Sequence, residues 1–177
     1  MSLFLAILLV GFALLALGLA LLADNSVVRA GLKTFPRSQT AAYVLFGGAA
    51  VWFLSRVAVL SEADFGQYRN ALFVGFSAVA VLSFFYVKEF LAVRGLAALI
   101  LLSAGPLLFA GYGVYGIALV YKVAVYLAVT AALWLGAQPW RMRDAISWVF
   151  RVPGRARLVG AVFAVAGAAV GATAFAI

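Results

Sequence analysis

The sequence predicts an all-α, polytopic integral membrane protein: a helix bundle with six transmembrane spans, in one membrane domain over residues 1–177. Hydrophobic residues make up 68% of the chain and charged residues only 10%, whereas soluble domains carry about 25% charged residues. A chain with so few polar side chains cannot cover a water-facing surface, so we expect most of its surface to contact lipid.

Six apolar segments are long enough to cross a hydrocarbon core of about 30 Å as helices. They cover about residues 2–23, 40–60, 71–87, 92–111, 117–136 and 158–177. The first segment lacks a preceding basic region, which favours a retained span over a cleaved signal peptide. The 41 residues from Gly95 to Leu135 must form two spans, because one helix of that length would measure about 60 Å. The glycines and tyrosines of Gly111 to Gly116 mark the expected break.

The distribution of Lys and Arg supports six spans rather than five. The first, third and fifth connections carry ten of these residues, the second carries only Arg69, and the fourth carries none. Because basic residues collect in cytoplasmic loops, we expect these three connections in the cytoplasm and both termini outside. The predicted location is the plasma (inner) membrane. The net charge of +8 then indicates anionic lipid headgroups, and not nucleic acid, as the partner.

The chain lacks the residues on which most catalytic designs depend. It contains no histidine and no cysteine, which removes the commonest general base, the commonest metal ligand and any thiolate nucleophile. The carboxylates of Glu62 and Asp64 lie two residues apart, but no nucleophile or phosphate-binding motif accompanies them. We therefore expect no catalytic residues, no metal site, no cofactor and no enzyme activity.

One candidate polar site lies inside the fifth span. Lys122 is about six residues, or about 9 Å, from the start of that span, and Tyr126 and Thr130 follow at helical spacing on the same face. A cation at the bilayer centre costs at least about 2.5–3.5 kcal/mol on insertion scales, which makes it a candidate functional group. The alternative is that the Lys122 side chain extends back to the interface.

A second candidate group lies near the outer end of the second span. Arg56 is four residues from that end, and Glu62 and Asp64 follow in the next connection. An ion pair between Arg56 and either acid would offset the desolvation of both partners. Together with Lys122, these charges would form either an outer vestibule or a structural ion-pair cluster.

The basic fifth connection predicts an amphipathic helix on the cytoplasmic leaflet over about residues 140–151. Met142, Ala145, Ile146 and Val149 share one face of this helix, and charged residues occupy the others. The segment is either an anchor for topology and lipid or a docking surface for a cytoplasmic partner. Its candidate lipid or partner contacts are Trp140, Arg141, Arg143, Trp148, Arg151, Arg155 and Arg157.

Small residues predict where helices approach closely. Gly160, Ala164, Gly167 and Gly171 share one face of the last span, and Gly11 and Gly18 share a face of the first. These faces favour helix contacts either within the bundle or with another membrane subunit, including a second copy of the chain.

Two functional interpretations remain. The first is a non-catalytic scaffold or accessory subunit that acts through helix packing and the basic cytoplasmic loop. The second is a small transporter or channel for a small anionic solute, with Lys122, Tyr126, Thr130 and a kinked fourth span at Gly105–Pro106 lining the path. The scarcity of polar residues inside the spans favours the first, because a water-filled path needs a polar lining.

Overall fold

The computed structural model describes residues 1–176, which form eight α-helices and no β-strand. Six of the helices are long and apolar enough to cross a membrane, so the prediction of an all-helical fold with six such helices is confirmed. The helices are α1 (Leu3–Ala23), α2 (Ser26–Thr34), α3 (Gln39–Val57), α4 (Arg69–Tyr86), α5 (Leu91–Ala110), α6 (Ala118–Ala137), α7 (Trp140–Arg151) and α8 (Arg155–Ala172).

The observed helix ends differ from the predicted spans by at most three residues, except at the end of α8. The three-residue differences are in α3, which ends at Val57, and at the start of α8, which is Arg155, whereas α8 ends at Ala172, five residues before the predicted end of the last span. Hydropathy marks where the hydrocarbon layer ends, whereas a helix can continue into the polar interface. Helix α8 does so at its start, where Gly154, with a φ of +82°, is the capping residue. The predicted end of the last span, residue 177, lies outside the described residues.

The first connection contains a helix that the sequence analysis did not predict. The side chain of Asn25 caps α2 by accepting a hydrogen bond of 2.8 Å from the Val28 amide. After a 3₁₀ turn over Phe35–Arg37, the Ser38 hydroxyl caps α3 by accepting from the Ala41 amide at 3.2 Å.

Helix α5 occupies the centre of the bundle and packs against α3, α6 and α1. The largest core cluster joins α1, α5, α6 and α8 through buried side chains that include Ile7, Ala104, Tyr121 and Val170. The Tyr121 hydroxyl donates a hydrogen bond of 2.6 Å to the carbonyl of Leu107, which ties α6 to α5 just beyond Pro106. Helix α4 packs mainly against α3, and none of its residues is buried.

Helices α1 and α8 are antiparallel and make the most extensive contact in the protein. A Cβ atom on Gly18 would clash with the Ala164 amide nitrogen and lie 2.8 Å from the Gly160 carbonyl oxygen. A Cβ atom on Gly11 would lie 2.8 Å from the Gly171 Cα. The small-residue faces of the first and last spans thus contact each other within one chain, through backbone atoms that only glycine can bring so close.

The three basic connections meet at one end of the bundle, which we call the basic end. There α2 contacts α7, Asp24 pairs with Arg157, and Lys88 and Trp140 line one cleft. This arrangement agrees with six spans, since five would place the most basic connection at the opposite end.

Candidate functional site

Helix α7 covers the basic end with the bounds predicted from the sequence, Trp140–Arg151. It contacts α2, α6, α8 and the 3₁₀ turn before α3. Its apolar residues Met142, Ile146 and Val149 are partly buried, whereas Trp140 and Trp148 are 44% and 55% exposed. The apolar face of α7 is therefore turned partly towards the protein, and the two tryptophan side chains are exposed at the surface.

Several cations of the basic end are engaged in local contacts. The Arg155 guanidinium donates to the Trp148 carbonyl at 2.8 Å and lies 4.5 Å from the centroid of its ring. Arg141 donates to the Gln138 side-chain oxygen at 3.1 Å, and Arg143 pairs with Asp144 at 2.8 Å. These contacts order the side chains but leave their positive charge accessible, since all are at least partly exposed.

Asp24 forms a junction between α1, α2 and α8, and the sequence analysis did not identify it as a site. Its carboxylate accepts two hydrogen bonds of 2.8 Å from Arg29 on α2 and lies 3.9 Å from Arg157 on α8. Arg29 in turn lies 5.6 Å from the ring centroid of Phe150 on α7. The sequence does contain a signal for this site, because Asp24 directly follows an apolar segment and precedes Arg29 by five residues.

The environment of Asp24 strongly favours its charged form. Its side chain is only 6% exposed, yet the hydrogen bonds from Arg29 hold the pKa of the carboxyl below its usual value, against the opposing effect of burial. The charges of Arg29 and Arg157 lower this pKa further, and the same pairing raises the pKa of Arg29. The ion pair is bidentate, which fixes geometry as well as charge.

A cleft of about 480 Å³ separates α2 from α7 and holds two cations without local partners. It is lined by Lys33, Asp144, Ser147, Trp148, Phe150 and Arg151. Within residues 1–176, neither Lys33 nor Arg151 makes a side-chain hydrogen bond or an ion pair, whereas Asp144 is engaged by Arg143. Lys33 was not among the predicted contacts, because only the folded chain brings α2 beside α7.

On α6, the three predicted polar residues, Lys122, Tyr126 and Thr130, do not line a polar path through the bundle interior. The Lys122 ammonium donates to the Val114 carbonyl at 2.6 Å, in the turn before α6, and lies 5.4 Å from the Tyr115 ring centroid. The Thr130 hydroxyl donates to the Tyr126 carbonyl of its own helix at 2.9 Å, and the Tyr126 side chain is 58% exposed. Lys122 thus extends back towards the interface, as an amphipathic cation can.

The expected ion pair between Arg56 and Glu62 or Asp64 is absent from the described residues. All three side chains are exposed, and the ion pairs found there involve only Asp24 and Asp144 as acids. Exposed ion pairs contribute only about 0–1 kcal/mol, so little holds such a pair together. Lys122 lies on α6 and Arg56 on α3, and α5 packs between these helices. A functional role for the four charged residues Arg56, Glu62, Asp64 and Lys122 stays a prediction.

Comparison with protein-family models, with curated proteins and with solved structures finds no match to this chain.

Proposed function

We propose that the protein is a non-catalytic scaffold or accessory subunit of the plasma membrane, with its basic end in the cytoplasm. In this proposal, the α2–α7 cleft docks an acidic segment of a partner protein. The observation that carries the proposal is the pair of cations, Lys33 and Arg151, that line this cleft and have no side-chain hydrogen bond or ion pair within residues 1–176. The neighbouring Trp148 and Phe150 would supply apolar contact to the same segment.

The Asp24 junction supports this proposal because it holds the walls of the cleft in place. Arg29 joins α2 to the end of α1 through Asp24, and its stacking on Phe150 joins α2 to α7. A cleft whose walls are already fixed loses less conformational entropy on binding than a pair of free amphipathic helices. Complementary charge would also speed association with an acidic partner.

The alternative, transport of a small anionic solute, receives less support. Its main candidate, Lys122, donates its hydrogen bond to the Val114 carbonyl, in the turn before α6, and not to a group of another transmembrane helix. The remaining feature is a cleft of about 390 Å³ at that end, lined by Lys122, Tyr126 and further aromatic residues. Solute uptake by proteoliposomes that falls to the background level in Lys122→Met would favour transport over the scaffold proposal.

Site-specific photocrosslinking in cells tests the docking proposal. A photoreactive residue at Ser147, inside the cleft, is expected to give a discrete adduct with a partner protein, and one at Tyr112, at the opposite end, is not. The charge reversal Lys33→Glu/Arg151→Glu should abolish the adduct. The matched reversal Arg56→Glu/Arg69→Glu, which changes the net charge equally, should preserve it. An adduct that survives the first reversal, or is equally strong at Tyr112, would contradict docking in this cleft.

A further inference from the structure

Two clefts meet at Lys88, in the short turn between α4 and α5. The first, of about 410 Å³, lies between α3, α4 and the start of α5, and its lining includes Tyr43, Val81 and Phe84. The second, of about 510 Å³, lies between the turn and the start of α7, and its lining includes Arg94 and Trp140. Phe85 and Lys88 line both clefts, so one molecule could occupy the two together.

The first cleft exists because α3 packs closely against α5 but is separated from α4 by aromatic side chains. A Cβ atom on Gly95 of α5 would lie 2.6 Å from the Phe46 Cα, so the backbones of α3 and α5 almost touch. Helix α4 instead contacts α3 through aromatic rings, with centroids 5.3 Å apart for Tyr43 and Phe84 and 5.0 Å apart for Phe53 and Phe76. The space left beside these rings opens to the surrounding lipid.

The junction of the clefts is amphipathic. Within residues 1–176, Lys88 and Arg94 make no side-chain hydrogen bond or ion pair, and Glu89 is the one acid in the lining of the second cleft. Trp140, 44% exposed at the same place, is a residue type that favours the membrane interface. The wall of the first cleft is apolar and lipid-facing at Val81 and Phe85, which are 57% and 66% exposed.

We propose that this junction is a binding site for one anionic phospholipid from the leaflet that contains the basic end. The phosphate lies in the cleft lined by Lys88 and Arg94, and an acyl chain follows the apolar cleft along Val81 and Phe84. A phospholipid is the occupant because the site combines a cationic opening with an apolar, lipid-facing extension at the depth of the headgroups. A free phosphate ion would use only the cations. The proposal does not depend on the α2–α7 cleft.

Native mass spectrometry of the full chain in detergent, titrated with phosphatidylglycerol or phosphatidylcholine, tests the site. We expect one phosphatidylglycerol to bind more tightly than phosphatidylcholine. Each basic residue near an anionic group contributes a factor of about five, so Lys88→Gln/Arg94→Gln should lower the affinity for phosphatidylglycerol about 25-fold. The control Arg56→Gln/Arg69→Gln, with the same loss of charge at exposed positions of the opposite end of the bundle, should leave it unchanged. An equal loss in both variants would overturn the proposal.

Two further measurements address the acyl chain. Val81→Trp fills the apolar cleft while keeping both cations, and should weaken phosphatidylglycerol binding, whereas Val74→Trp, on α4 outside the cleft, should not. In the wild-type protein, phosphatidylglycerol with a photoreactive chain should crosslink to peptides that contain Val81 and Phe85. Crosslinks spread evenly over all lipid-facing helices would overturn the site. Displacement of the lipid by an equal concentration of glycerol 3-phosphate would also overturn it, because binding would then need only the headgroup.

Discussion

At the scale of single residues, Asp24 has the widest structural effect. It ends α1 in a left-handed conformation, with φ of +42°, and turns the chain into α2. Its carboxylate then contacts arginines from α2 and α8, so one short side chain joins three helix ends. The sequence showed a lone acid among basic residues, but the contact with Arg157 joins residues that are far apart in the chain and could not be predicted.

The lowered pKa of Asp24 predicts a loss of stability in acid. A carboxyl group whose folded-state pKa lies below its unfolded value stabilises the fold above the unfolded pKa, about 3.9 for Asp. That contribution is lost as the pH falls through the folded-state pKa. We expect the unfolding temperature of the wild type, measured by circular dichroism in detergent, to decrease below about pH 4.

Two substitutions test whether the loss of stability in acid comes from Asp24 and not from another acidic residue. Asp24→Asn keeps a side chain that tolerates the left-handed backbone, removes the charge, and should unfold at a lower temperature at neutral pH with less dependence on acid. Asp64→Asn, at an exposed position, should behave like the wild type. A wild-type pH dependence in Asp24→Asn would show that this ion pair does not stabilise the fold.

At the scale of helices, hydropathy predicted the six long elements but not how they pair. Each apolar run is long enough to cross a bilayer as a helix, and that property is read directly along the chain. Pairing depends on which face of each helix is buried, and in lipid both faces are apolar. Only α1 and α8 carried a signal for contact, in the glycines that meet at Gly11 and Gly18. Helix α2 was missed because it is short and lies in a polar connection.

The contact between α1 and α8 predicts a strong effect of one added methyl group. Gly18→Ala places a Cβ atom against the backbone of Ala164 and Gly160, and overpacking of this kind costs about 1–3 kcal/mol. Gly75→Ala on α4 is the matched control, because its added Cβ meets no atom within 4 Å. Unfolding in mixed micelles should show a loss of stability for Gly18→Ala and none for Gly75→Ala. Equal stability of the two variants would contradict the observed contact.

At the scale of the whole molecule, charge is strongly asymmetric along the direction of the spans. Ten of the thirteen Lys and Arg residues belong to the three connections at the basic end. Within the bundle, α1, α5, α6 and α8 share a core, α3 packs on α5, and α4 stands at the edge against α3. The clefts beside α4 and the turn after it follow from this edge position.

The asymmetry predicts the orientation, and the absence of cysteine makes the test simple. Single cysteines at Asp64 and Ser147 lie at opposite ends of the bundle. A membrane-impermeant maleimide should label Asp64→Cys in intact cells, and should label Ser147→Cys only after the membrane is permeabilised. Labelling of both positions from the same side would refute six spans.

The sequence by itself determined the fold class, the number of long apolar helices and the gathering of basic residues at one end. These features follow from the length of each apolar segment and from the positions of Lys and Arg along the sequence, neither of which depends on how the helices pack. Tertiary structure alone decided the pairing of helices, the direction of Lys122, the lack of an Arg56 ion pair within residues 1–176, and the clefts at Lys33 and Lys88. The physical reason is that lipid is as apolar as a protein core, so hydrophobicity marks what lies in the membrane but not which surfaces meet there.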